Sequence, residues 1–226
     1  MIAPAFRKMR RARAGPARDS RATIIVEMAF TIPFLILIGF AGLEIANLTL
    51  ANTRVSQIAL SAADNASRIA YGNNLSLPRV RELDINSVFT GVEEQAVGMN
   101  FRANGRIILS SLERNTDGGQ WIHWQRCYGN LAAPSSYGVQ GAGATGTALE
   151  GIGPAGGQVA ASEGTAVMFV EITYRYTPLL YGKWLGAQTI RSTAAFNIRE
   201  ARDLKGPPNG DGVYNDAPVA TKSACT

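Results

Sequence analysis

The sequence predicts an α+β protein: a single N-terminal transmembrane helix, extended into a long amphipathic helix and packed on a small antiparallel sheet. Three observations lead there. Residues 23–43 are apolar except for Glu27. The residues that follow keep a helical period as far as Gly72. From Gly105 onward, short runs rich in β-branched and aromatic residues are separated by Gly, Pro, Asn and Asp, the punctuation of strands and turns. With 46% hydrophobic and 17% charged residues in 226, there is apolar material for one core beyond a membrane span.

Residues 1–22 form a basic leader. Arg7, Lys8, Arg10, Arg11, Arg13, Arg18 and Arg21 face one acid, Asp19, leaving the remainder of the chain with 15 basic against 16 acidic residues. The net charge of +5 therefore belongs to the leader and not to a folded surface, which removes the compositional argument for nucleic-acid binding. The following 21 residues rise about 30 Å as a helix, the thickness of a bilayer's hydrocarbon core. Residues 23–44 are the expected transmembrane helix. Basic flanks stay cytoplasmic, so the N-terminus is expected in the cytoplasm and the rest in the periplasm. A cleaved secretory signal is the alternative, but no A-x-A site closes the run and the sequence continues helically through "EIANLTLANTR". Arg10-Arg11 alone does not make a twin-arginine signal.

Residues 45–72 are the expected continuation. Ile45, Leu48, Val55, Ile58, Ala62, Ala66 and Ile69 make one apolar stripe, with Asn47, Asn52, Arg54, Gln57, Asp64 and Arg68 on the other face and Gly72 placed as a C-cap. The whole helix would be about 70 Å long, kinked at Pro33. Its second half either covers its own domain or packs on neighbouring subunits. Residues 73–205 form the α+β domain. Residues 78–100 hold a helix interrupted near Thr90 and Gly91; "GRIILSSLE" and "GQWIHWQRC" are neighbouring strands joined through "RNTDGG"; residues 167–176 alternate with period two; "YGKWLG" is a turn or short helix; residues 190–199 return as a strand.

Residues 137–158 are glycine-rich and read as a mobile surface loop. The formal G-x-G-x-x-G at Gly141, Gly143 and Gly146 lacks the preceding strand and following helix that a dinucleotide site requires, so no cofactor is expected. His123 is the lone histidine, flanked by Trp121 and Trp124 and better read as packed among aromatics than as a base. His123 and Cys127 are too few for a metal site, and no catalytic set or small-molecule substrate site is expected. The chain reads as a non-enzyme. Residues 206–226 read as a flexible tail carrying Cys225. Two cysteines, Cys127 and Cys225, on an oxidising side favour a disulfide; two free thiols or an interchain bond are the alternatives.

Glu27 raises the sharpest question, because an ionised carboxylate in hydrocarbon is costly unless it is paired or reaches water. A cut between Ala22 and Thr23 would leave Glu27 as the fifth residue, beside a new α-amino group able to neutralise it. A basic leader, a small residue, four apolar residues, Glu and an apolar helix resemble a type IV prepilin. "VEMAFTIP" (26–33) and "QIALSAADNASRIA" (57–70) are similar to the "VEFALVLP"-like opening and "Q…AADAAAR…A" of the TadE-like proteins of Tad (Flp) type IVb pilus assembly. Residues 166–200 resemble that family's closing strand, turn and strand. Ala22 stands where the prepilin motif prefers Gly, and Met28 where an aromatic residue is usual. The resemblance implies a pilin-like fold, the role of a minor pilin or pseudopilin, and processing at Ala22, Thr23 and Glu27. It also implies partners in the inner membrane: other pilins, platform proteins and a prepilin peptidase, with incorporation into a surface pilus. A membrane-anchored binding or sensing domain outside any fibre is the competing reading.

Overall fold

The computed structural model describes residues 20–72, 75–179, 186–208 and 210–225, so the leader up to residue 19 and most of "YGKWLG" lie outside the described residues. Seven elements follow in order: α1 (Ser20–Ser67), α2 (Glu82–Gln95), α3 (Phe101–Asn104), β1 (Gly105–Arg114), β2 (Gln120–Tyr128), β3 (Ala166–Tyr176) and β4 (Gln188–Asn197). The chain divides into two units between Leu43 and Glu44.

The first unit contains the apolar start of α1, which continues past Pro33. Side chains from Thr23 to Phe40 are all exposed to the surroundings, as expected of residues solvated by something other than protein. By length and composition α1 is able to cross a membrane.

The second unit is a four-stranded antiparallel sheet in the order β2-β1-β3-β4, covered on both faces. One face receives α1 and α2. Val55, Ile58, Ala59, Ala62, Ala63 and Ala66 repeat at helical spacing and are buried, and the four alanines let the helix backbone approach the sheet closely. Ile45, expected in this stripe, is exposed instead. Opposite lie Ile107 and Leu109 of β1 and alternate β3 residues from Ala166 to Tyr176, the period-two pattern of a central strand.

Two helix ends differ from expectation. α1 stops at Ser67, before Gly72, because buried Arg202 donates to the carbonyls of Ala66 at 3.4 Å and Ile69 at 3.1 Å; the guanidinium serves as the C-cap. The chain then turns and Tyr71 pairs with Arg79. α2 runs unbroken through Gly91, since Ile85, Val88, Phe89 and Val92 bury one face. Each such side chain contributes roughly 1.5–3 kcal/mol, more than the ~1 kcal/mol a helical glycine costs.

The glycine-rich segment is not a free loop; it forms the layer on the sheet's second face. Ile152, Val159, Leu149 and Ala142 pack with Leu112, Ile122, Val167 and Phe169, and Tyr137 meets Phe169 edge-on at 5.3 Å between ring centres. The glycines permit backbone approach to β2: at Gly143, with φ +76°, a Cβ would fall 2.2 Å from the Gln120 carbonyl oxygen. Gly141, at φ +89°, has open space around it. Gly141→Ala is therefore expected to lose only the left-handed backbone preference, about 1–2 kcal/mol. Gly143→Ala should lose about 1–3 kcal/mol more through the forced contact. Urea unfolding of the two variants checks this, and equal losses would contradict the close-approach account.

Candidate functional site

Three places carry the polar chemistry. The first is Glu27, exposed on α1 among apolar neighbours, with its main-chain carbonyl accepting from the Thr31 hydroxyl at 2.6 Å. Thr23 is exposed on the same helix, while the side chain of Ala22 lies outside the described residues.

The second is the C-terminal segment, expected to be loose and found docked. Cys127 and Cys225 form an intrachain disulfide, with the Cys127 N–H donating to the Ser223 carbonyl at 2.8 Å. Val213 is buried, and Tyr214 bridges to Arg81 at the head of α2. At the centre sits Arg126, wholly buried on β2. Its Nε donates to both Glu82 carboxylate oxygens at 2.9 Å and its Nη2 to Asp211 Oδ2 at 2.9 Å. Lys222 also pairs with Asp211. The composition of the tail is that of a disordered chain, but ion pairs to Arg126 and Arg79, the Lys222–Asp211 pair, the buried Val213 and a covalent bond order it.

With the tail and the glycine-rich layer in place, the outward N–H groups of β2 at Gln120, Ile122, Gln125 and Cys127 find acceptors in the Leu149 and Ala142 carbonyls, the Gln140 side chain and the Ser223 carbonyl. The β2 edge of the sheet is thereby closed to further strands.

The third place is His123. In the β1–β2 register Ser111 faces Trp124 and Leu112 faces Ile122, so His123 is the extra residue of a β-bulge. The bulge sets the imidazole on Trp121, 4.1 Å between centres, with Nδ1 2.9 Å from Glu113 Oε2. Ser111 donates to Oε1 of the same carboxylate at 2.7 Å. The carboxylate lies between serine and histidine, so the imidazole does not touch the hydroxyl, as activation of a serine nucleophile requires. Among the described residues no cluster of three or more His, Cys, Asp or Glu is arranged to hold a metal.

Compared with family models, curated proteins and solved structures, the chain matches none. Function therefore has to be argued from these residues. Sequence reasoning missed one at the junction of the units' sequences. Glu44, directly after the apolar run, is buried and accepts from Tyr176 Oη at 2.7 Å and from the Leu179 N–H at 3.3 Å. Burial and the Glu44 carboxylate push the Tyr176 hydroxyl up to about 12. The signal was an acid placed where apolar residues stop, but its partner lies 132 residues away. Arg126 and Arg202 had no local signal at all.

Burial alone would raise Asp211, but Lys222 and Arg126 outweigh it and hold the carboxyl below its ordinary 3.8. A lowered folded-state value means stability fully present above the unfolded value and lost as pH falls through the folded one. Asp211→Asn should thus cost roughly 1–3 kcal/mol at pH 7. The gap between variant and parent should narrow as pH falls through the lowered folded-state value, where the parent's carboxylate is protonated and its ion pairs are lost. Thermal unfolding of the disulfide-bonded full chain across pH measures this; a gap independent of pH would contradict the ion-pair role.

Proposed function

We propose that the protein is a single-span inner-membrane subunit of a Tad-type pilus-assembly system, a minor pilin or pseudopilin whose work is insertion and helix packing. The carrying observation is the division of labour along α1. Its first part presents only exposed apolar side chains and one carboxylate, and its second part is locked onto a sheet by a stripe of small residues. A helix so built holds a folded periplasmic domain at the bilayer while leaving its apolar half free to exchange lipid for neighbouring helices. The pilin-like plan of long helix and antiparallel sheet, and the similarity of residues 20–72 to TadE-like proteins, support the same reading.

In this mechanism a prepilin peptidase cuts between Ala22 and Thr23, removing the basic leader that holds the chain in the membrane. The new α-amino group, of the same chain or of the next subunit, neutralises Glu27 in low dielectric. The charge that was costly in lipid becomes a docking contact.

Glu27→Ala is expected to insert normally, since the span becomes more apolar, and to abolish assembly. N-terminal sequencing of the assembled protein is expected to begin at Thr23. Recovery of intact Met1 with assembled pili, together with normal assembly by the Ala variant, would overturn the mechanism.

A further inference from the structure

The tail and the glycine-rich layer close the β2 edge of the sheet, whereas the opposite edge, β4, is open. In the β3–β4 ladder Val167 faces Asn197, and the Ile198 N–H donates to the Ala166 carbonyl at 3.0 Å, flanking that pair. Bonding residues alternate in an antiparallel ladder, so the even-numbered residues of β4 turn their N–H and C=O to β3 and the odd-numbered ones turn theirs outward. Among the described residues no hydrogen bond reaches the outward groups of Thr189, Arg191, Thr193 or Ala195. The strand runs for 10 residues without a shift of register and contains no proline and no lysine. Bulges, prolines and lysines are the devices that ordinarily keep an edge strand single.

The side chains along this edge define what fits it. The odd-numbered residues of β4 lie on the sheet's second face, where Ala195 packs with the glycine-rich layer. Arg191 is on the same face opposite Thr173, with Arg175 diagonal to it across the ladder. Both arginines are exposed, and among the described residues neither guanidinium has a hydrogen-bond or ion-pair partner. Glu171, on the same face two residues before Thr173, is buried and accepts from the Ser135 hydroxyl and the Ser136 N–H. On the first face the hydroxyls of Ser192 and Ser56 of α1 meet at 3.3 Å. One turn further along the same side of α1, Leu60 is 51% exposed.

We propose that β4 is a docking edge for an extended segment of another protein in which acidic residues alternate with apolar ones. The segment adds to the sheet as an antiparallel strand, bonding the outward groups of Thr189, Arg191, Thr193 and Ala195, with its acids beside Arg191 and Arg175 and its apolar residues towards Leu60. Main-chain hydrogen bonds supply the affinity, and the arginines select the partner by charge. A second copy of β4 is a poor occupant, because it brings another arginine and no acid to the same face. This goes beyond helix packing and holds whether or not the first unit lies in a membrane.

The test titrates the disulfide-bonded full chain, held in detergent micelles, with a peptide of the length of β4 that alternates glutamate and valine, and reads hydrogen exchange amide by amide. Saturating peptide is expected to slow exchange at Arg191, Thr193 and Ala195 about tenfold, while Ile190, Ser192 and Ala194, already bonded to β3, keep their rates. Replacing the peptide's glutamates by lysines should weaken binding about tenfold, and Arg191→Glu should reverse that order of preference. In Thr193→Pro the missing N–H is an outward one, so the β3 ladder is expected to survive and the affinity for the glutamate peptide to fall about tenfold. No protection of the three amides, protection elsewhere alone, or equal binding of the two peptides by the parent would overturn the proposal. So would protection of the three amides in peptide-free protein that grows with its concentration, which marks a second copy as the occupant. Undiminished peptide binding by folded Thr193→Pro would overturn strand addition. If that variant does not fold, Arg191→Glu decides, since it alters no backbone group, and an unchanged preference there overturns the proposal.

Discussion

A polypeptide in hydrocarbon must satisfy every backbone N–H and C=O within itself, and a single helix is the only way one span can do so. On the proposed membrane reading that constraint shapes the apolar part of α1, and the sheet is fitted to the later part of the same helix. The helical period that satisfies the backbone in the first unit also delivers the stripe from Val55 to Ala66 to the sheet in the second. Glu44 marks the change of surroundings. A carboxylate unfavourable in lipid is satisfied one residue past the apolar run by a tyrosine hydroxyl and a main-chain N–H.

The sheet depends on the chain returning to cover it. Its central strands are buried on both faces, and the second face belongs to a segment in which Gly143 and Gly151 allow close backbone approach. Arg126 and the disulfide then hold the C-terminal segment against α2 and β2. A buried guanidinium costs several kcal/mol in desolvation, and here its donors reach Glu82, Asp211 and the Gln125 carbonyl; burial lowers its pKa but the carboxylates, Glu82 first, outweigh this and raise it. The arrangement specifies where the tail goes, because removing Asp211 leaves a buried Arg126 donor without its acceptor.

Local patterns were legible and distant partners were not. The apolar run, the period of α1 and the strands β1 to β4 were placed within about two residues, because periodicity is a local consequence of one buried face. The end of α1 was misplaced because its cap, Arg202, lies far along the chain. Glycine-rich and Gly/Pro/Asp-rich segments look alike whether they move or pack, and only the carbonyl of Gln120 or the charge of Arg126 decides. His123 was read as packed among aromatics and does stack on Trp121, but the bulge that gives it Glu113 as a partner has no sequence signature. Of the processing residues, Thr23 and Glu27 are exposed on α1, and residues 1–19 of the leader lie outside the described residues.

The central claim is that the exposed apolar half of α1 exchanges lipid for other helices. A photoreactive residue at Phe34, 67% exposed in that half, tests it most directly when carried by the cell that assembles the filament. The account predicts cross-links to the apolar helices of other pilus subunits, in the membrane and in sheared surface filaments. Adducts with lipid alone, in cells that are making pili, would contradict it.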